Sequence, residues 1–251
     1  MIIETSPVVV FLQARMSSTR FPGKVMKEIN GKPMIDWQIQ RILQSTMISE
    51  VVVLTSTDNS DDILVDYLES IGVAVFRGSL EDVHSRFHEA IKIYKPRIFI
   101  RVTGDCPLVM SNIIDEMINR FRLEMPEYMS SALKPTFPDG LDVEIVSTDA
   151  FLRLNEYQLS LEEREHATLG IWKRPLEFRL ESFENVVDLS GERWTVDYPE
   201  DLEFVRRIFG HMEGKEATFL LEDVLELLST HRDIRNSLSG ELRNIALKET
   251  E

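Results

Sequence analysis

Four short runs of β-branched and aromatic residues recur along the first hundred positions, and they constrain the fold more than anything else in the chain. They are Val8-Val9-Val10-Phe11-Leu12, Val51-Val52-Val53-Leu54, Val73-Ala74-Val75-Phe76 and Arg97-Ile98-Phe99-Ile100-Arg101-Val102. Each is too short for a helix and too continuously apolar for a strand with one wet face, so each reads as a strand buried on both sides. Helical pattern separates them. Asp61 to Ser70 is one such segment, Ser79-x-x-Asp82 resembles a capping box opening a helix to about Tyr94, and Ser111 is placed to cap a helix to about Glu124. Alternation of this kind requires parallel strands joined by right-handed crossovers, which is an α/β, doubly wound, mostly parallel sheet.

The pattern changes after Pro126. Pro126, Pro135 and Pro138 interrupt an irregular stretch, and Leu141 to Val146 then alternates like a half-exposed strand. A helix over Leu161–Arg174, ended by Pro175, and a strand candidate over Glu177–Phe183 complete an insertion spanning 126–185. Such an insertion closes over a substrate or forms a subunit contact. Its Phe137, Phe151 and Trp172 favour a homodimer contact if they are not covered by the chain's own core. Helices near Glu200–Phe209 and Phe219–Ser229 close the fold, and the polar residues 232–251 are expected to fray. All of 1–251 reads as one domain.

In an open α/β sheet, ligands bind beyond the carboxyl ends of the strands. The first such end carries Gln13-Ala14-Arg15-Met16-Ser17-Ser18-Thr19-Arg20-Phe21-Pro22-Gly23-Lys24. Arg15, Arg20 and Lys24 beside small and hydroxyl residues make a site for a polyphosphate. It is not a P-loop, because Ser18 stands where the first glycine belongs and Val25 where a hydroxyl belongs. Nor is there a dinucleotide fingerprint, since none of the 11 glycines has another two positions away. Net charge sharpens the point. The chain carries −15, yet residues 13–32 carry +4 and the remainder −19. Nucleic acid and anionic membranes need a broad basic face, so a small anion is the expected partner. No apolar run approaches the roughly 18 residues of a membrane span, Met1-Ile2-Ile3-Glu4 lacks a signal peptide's basic start, and one cysteine excludes an internal disulfide. A cytoplasmic protein is expected.

Val102-Thr103-Gly104-Asp105-Cys106-Pro107 places a carboxylate just beyond the fourth strand, at the same edge as the basic loop. Mg²⁺ is commonly held by one or two carboxylates together with substrate phosphates, so Asp105 is a candidate ligand; the alternative is an aspartate capping its own turn. Asp197, in Trp194-Thr195-Val196-Asp197-Tyr198-Pro199, is either a second ligand or the N-cap of the following helix. Thr55 and Asp58 follow the second strand, Arg77 and Ser79 the third, where base or ribose contacts compete with ordinary loop chemistry. Arg164-Glu165-His166 falls in the insertion's helix, where surface roles compete with substrate contact. Cys106 has no base beside it to activate a nucleophile and reads as a small buried residue.

Together these residues resemble the cytidylyltransferase family that makes CMP-activated acidic sugars, and within it the spore-coat polysaccharide protein F branch. The family's first loop runs approximately Ala-Arg-x-x-Ser-x-Arg-Leu-Pro-Gly-Lys, and here Phe21 replaces the leucine. Further similarity lies in Arg101 to Leu108, in Pro138-Asp139-Gly140-Leu141-Asp142-Val143-Glu144, in Arg164-Glu165-His166-Ala167-Thr168, and in Arg193 to Asp197. The resemblance implies a GT-A-like nucleotidyltransferase that uses CTP and an acidic sugar, releases pyrophosphate and serves surface polysaccharide synthesis. It further implies triphosphate held by Arg15, Arg20 and Lys24, with Gln13, Ala14, Ser17 and Arg101 in the nucleotide site. Mg²⁺ falls to Asp105 and Asp197, the acceptor to Asp142, Glu144, Arg164 and His166, and a homodimer is expected. Two alternatives stay open at this point: a sugar-1-phosphate nucleotidyltransferase using another nucleotide, and a non-catalytic nucleotide sensor.

Overall fold

A computed structural model describes residues 7–235. Met1 to Glu4 and residues 236–251, on which the expectations about a leader and most of the frayed tail fall, lie outside them. The first half alternates as expected: β1 (Val8–Gln13), a small ribbon of β2 (Glu28–Ile29) and β3 (Lys32–Pro33), α1 (Met34–Ile42), β4 (Glu50–Ser56), α2 (Asp62–Ser70), β5 (Ala74–Gly78), α3 (Val83–Tyr94), β6 (Ile98–Thr103) and α4 (Ser111–Glu124). The second half adds β7 (Tyr128–Ser130), β8 (Glu144–Ser147), α5 (Thr148–Arg153), α6 (Leu161–Glu165), α7 (Leu169–Trp172), β9 (Leu180–Ser182), α8 (Pro199–His211), α9 (Leu221–Thr230) and α10 (Arg232–Arg235).

The main sheet runs β5-β4-β1-β6-β8-β7-β9. The pairs among β5, β4, β1 and β6 are parallel, whereas β8 is antiparallel to both β6 and β7. The continuous apolar character of β1 follows from cores on both faces. Val8, Val10 and Leu12 pack with residues of α1, α4, α8 and α9, while Val9 and Phe11 pack with Phe87 of α3 and Phe151 of α5. Burying such side chains contributes about 1.5–3 kcal/mol each, which fixes the strand centrally.

Local details differ from the sequence expectations for identifiable reasons. The helix expected over 161–174 is broken at His166-Ala167-Thr168 into α6 and α7. Ala167 and Thr168 are buried at the break, and the Thr168 hydroxyl donates to a Glu144 carboxylate oxygen 2.6 Å away. Ser111 is the first helical residue of α4 and not its cap, that place belonging to Met110. At α3 the cap is Asp82, which accepts from the Ser85 N–H at 2.8 Å, while the Ser79 hydroxyl accepts from the Asp82 N–H. The half-exposed strand expected over 141–146 starts later and ends one residue further on, as β8. Phe137 and Phe151 are buried inside the chain and so lend no support to a subunit contact. No helix of the described residues is long and apolar enough to cross a membrane.

Candidate active site

Two lobes of one cleft open at the carboxyl edge of β1 and β6. The first encloses about 480 Å³ and is lined by the basic loop (Gln13, Ala14, Arg15, Arg20, Lys24) together with Asp105 and Asp197. The second, of about 300 Å³, is lined by Tyr128, Ser130, Asp142, Glu144, Thr168 and Trp172 among others. Arg101, Thr103, Asp105 and His166 line both and form the seam between them.

The basic loop owes its shape to one backbone unit. The Met16 carbonyl accepts from the Ser18 and Gly23 N–H groups, at 2.9 and 2.8 Å. The Met16 N–H donates to Asp61 Oδ1 at 2.6 Å. Asp61 is wholly buried, and its other oxygen accepts from the Thr55 hydroxyl, the Ser56 N–H and the Ser56 hydroxyl. Charge-assisted bonds of this sort are roughly twice as strong as neutral ones, so Asp61 pins the loop to β4. Thr55 is thereby removed from ligand contact. Asp58 caps the turn that precedes α2, and Arg77 bonds the Ser56 and Asp58 carbonyls and pairs with Asp62 at 2.7 Å. Ser79 serves the approach to α3. None of Thr55, Asp58, Arg77 or Ser79 lines either lobe; these four candidates build the scaffold. Ser17 also lies off the cleft wall, with its hydroxyl buried and without a hydrogen-bond partner among the described residues.

Gly104 is the point where β6 meets the loop. A Cβ there would lie 2.9 Å from Ala14 Cβ, and its N–H bonds the Gln13 carbonyl at 2.8 Å. Only glycine permits that approach at the start of the turn that the Cys106 N–H closes onto the Thr103 carbonyl. The next residue, Asp105, has its carbonyl held by the Val196 N–H at 2.8 Å and the Thr195 hydroxyl at 3.2 Å. These bonds bring the segment carrying Asp197 alongside. Asp197 is not a helix cap. Tyr198 occupies that place at the start of α8, and Asp201 Oδ2 reaches back to the N–H groups of Asp197 and Tyr198, both at 2.9 Å. The Asp197 carboxylate faces three cations instead: Arg20 and Lys24 at 3.0 Å and Arg193 at 3.3 Å.

Lys24 bridges the two carboxylates. Its ammonium donates to the Val196 carbonyl at 2.7 Å, to Asp197 Oδ1 at 3.0 Å and to Asp105 Oδ2 at 3.4 Å. Burial alone would lower the Lys24 pKa, but Asp105 and Asp197 outweigh it and hold the ammonium above its ordinary range. Conversely, burial pushes the Asp105 carboxyl up, and the Lys24 charge with the Thr103 hydroxyl overrides this, leaving it below its ordinary range. The neighbouring Cys106 thiol is pushed well up by burial and by Asp105, so it is no nucleophile. Arg15 is differently placed: it makes no hydrogen bond or ion pair among the described residues, and it stands near the buried Arg86, whose pKa burial and then Arg15 lower to about 10. Its side chain lines the first lobe.

At the seam, Arg101 is gripped by Gln13 Oε1, at 3.0 and 3.2 Å, and by Glu144. Glu144 is the first residue of β8 and sits opposite Arg101 in register. His166 faces the cleft from the break between α6 and α7, and burial, then the Arg101 charge, push its imidazole below the ordinary histidine range. It is therefore neutral at pH 7. Arg164 lines neither lobe. It pairs with Asp82 at 2.7 Å with its side chain 44 % exposed, and so ties α6 to α3. Of these two residues expected at the acceptor, His166 therefore lines the cleft and Arg164 does not.

Sequence reasoning missed Asp61, Asp201, Arg193 and Thr103. A signal existed for two of them. Arg193, Asp197 and Asp201 stand four apart around a helix-opening proline, which is the spacing of an ion-paired helix start.

Residues 9–226 match the family model described as cytidylyltransferase. The chain belongs to the cytidylyltransferase family. This cytidylyltransferase is 30% identical over 233 residues to the spore coat polysaccharide biosynthesis protein SpsF of Bacillus subtilis, covering 90% of this chain and 95% of that one. It is 32% identical over 116 residues to a 3-deoxy-manno-octulosonate cytidylyltransferase of Bdellovibrio bacteriovorus, covering 45% of each. The solved structure of a cytidylyltransferase from Leptospira borgpetersenii superposes with a TM-score of 0.88 at 31% identity, covering 94% of this chain and all of that one. The enzyme is thus a nucleotidyltransferase on a mostly parallel α/β sheet.

Proposed function

We propose that this cytidylyltransferase transfers CMP from CTP to an acidic sugar and releases pyrophosphate, in surface polysaccharide synthesis. One observation carries the reading. Two carboxylates, three loop cations and a second polar lobe converge where β1 and β6 end, and the two lobes share a seam at Arg101, Thr103, Asp105 and His166. A nucleotide in the first lobe presents its α-phosphate to an acceptor in the second. An acceptor oxygen attacks the α-phosphorus, the new P–O bond forms as the bond to the β-phosphate breaks, and pyrophosphate leaves with the electron pair. Arg15 and Arg20 stabilise the charge growing on it. Neutral His166 takes the proton if the attacking group is a hydroxyl. Arg101, held flat by Gln13 and Glu144, replaces Arg164 as the cation offered to the acceptor's acid group.

The donor set also suits Mg²⁺. The described residues contain no cluster of three or more metal-ligating side chains, so an all-protein cage is absent there; two carboxylates completed by phosphates match the ordinary Mg²⁺ arrangement. Asp105 and Asp197 are the residues that hold it. When bound, the ion supplies charge neutralisation at the α-phosphate. A homodimer in the cytoplasm completes the proposal, with the exposed Leu161 and Leu176 of the insertion as the contact in place of the buried phenylalanines.

The test is a pyrophosphate-release screen in which CTP, UTP, GTP and dTTP are each offered with a panel of sugar acids and sugar phosphates. Turnover with CTP and a sugar acid is expected. Turnover only with another nucleotide and a sugar phosphate gives the enzyme a different substrate pair, and no release with any pair makes it a nucleotide sensor. Light scattering at micromolar concentration should return twice the chain mass.

A further inference from the structure

An ammonium has three hydrogens to donate, and in Lys24 all three are taken by protein: the Val196 carbonyl, Asp197 and Asp105. The side chain is buried, so this is a built arrangement and not a surface pairing. It uses one oxygen of each carboxylate, Asp105 Oδ2 and Asp197 Oδ1, while the other two accept from the Thr103 hydroxyl and Arg193. Each of the two carboxylates already faces at least one cation, and Asp139 adds its charge near Arg193. Asp105, Asp197 and Asp201 are joined to Arg20, Lys24 and Arg193 by ion pairs of 3.4 Å or less. A divalent cation arriving alone would add two positive charges beside Arg20, Lys24 and Arg193 and would have to displace Lys24 with nothing to receive it. A divalent cation arriving on a triphosphate brings more negative charge than its own positive charge. It also supplies phosphate oxygens on which Lys24 can re-form its three bonds.

Resting on the proposed reaction, we propose that Lys24 is a specificity-determining residue for the form in which the metal enters. It occupies the Asp105–Asp197 position in the free enzyme, excludes the bare cation, and yields only to the metal–nucleotide complex. Metal and nucleotide then bind as one ligand, and free divalent metal neither activates nor inhibits by filling the site first. Lys24 exchanges carboxylates for phosphates as that complex arrives, which reconciles its place in this structure with a role beside the triphosphate.

Mn²⁺ binding, read from the electron paramagnetic resonance signal of the free ion, tests this without turnover. Free wild-type enzyme is expected to bind Mn²⁺ at least about tenfold more weakly than Lys24→Met, which removes the charge and keeps the volume. Lys24→Arg, which keeps the charge, should stay with wild type. Adding a CTP analogue with a non-cleavable α–β bridge should bring Mn²⁺ onto the wild-type protein. Tight Mn²⁺ binding by nucleotide-free wild type overturns the proposal whatever the variants do, and so does equal affinity in wild type and Lys24→Met. The nucleotide-free arm needs no substrate, so a failure of the CTP reading in the pyrophosphate screen leaves it standing, and the reverse also holds.

Discussion

The parallel half of the sheet and the antiparallel half deliver chemistry to the same cleft by opposite means. Parallel strands present the residues at and beyond their carboxyl ends, so β1 and β6 supply Gln13 with the basic loop and Thr103 with Asp105. An antiparallel strand reaching the same edge presents its opening residues, and β8 supplies Glu144, its first residue, directly opposite Arg101. In the parallel half a short, strongly held loop sits on a buried carboxylate, Asp61. In the antiparallel half the wall comes from a break between two short helices, held by the contact between Thr168 and Glu144. The proposed reaction puts the nucleotide on the pinned side and the acceptor on the side where a few bonds set the wall.

Substitutions at five positions break or sharpen that division. Asp105→Asn should act on both sides at once, since Asp105 lines both lobes, and Asp197→Asn should act through the first lobe and the Lys24 that the two carboxylates share. Each is expected to cut kcat by about a hundredfold or more with an unchanged circular dichroism spectrum; wild-type turnover would remove the residue from the reaction. Asp61→Asn should act on the parallel side alone. Losing a buried carboxylate that holds four donors is expected to cost about 2–4 kcal/mol of stability, measured by urea unfolding, and to raise the CTP KM more than the acceptor KM. Thr168→Val should do the reverse: acceptor KM up by about threefold to tenfold, CTP KM steady, from the loss of one bond to a charged group. Equal movement of both constants would mean that the halves are not separable. Smallest is Arg164→Ala. Its exposed pair with Asp82 contributes about 0.2–1 kcal/mol, and neither KM should change; a large rise in acceptor KM would return Arg164 to the sugar side.

The parallel half was legible because buried strands and capped helices write themselves as local periodicity. β1, β4, β5 and β6 fall within a few residues of the runs that announce them, and the basic loop is located by the end of β1. Asp105 was legible for the same reason. The antiparallel half depends on contacts between residues far apart in the chain. Nothing local in Arg164-Glu165-His166-Ala167-Thr168 announces a break, because the contact made there is a hydroxyl reaching Glu144, 24 positions earlier. Thr55 shows the limit on the other side. Its place at a strand end was read correctly, but its hydroxyl was already claimed by Asp61, and a sequence does not display which hydrogen bonds are taken.

Gly140 sits where the two walls of the cleft touch. Its φ is +103°, and a Cβ would lie 2.6 Å from the Thr195 nitrogen and 2.7 Å from the Trp194 carbonyl carbon. Immediately before it, Asp139 exchanges backbone bonds with Glu192 at 2.9 Å and Trp194 at 2.6 Å. The loop that carries Asp142 to the second lobe is therefore stitched, main chain to main chain, onto the loop that carries Asp197. For anyone re-engineering the enzyme toward a new sugar, this removes modularity. A graft of residues 138–144 from a relative will keep its catalytic carboxylate in place only if 192–197 travel with it, and libraries that vary the first segment alone will lose rate before they gain selectivity.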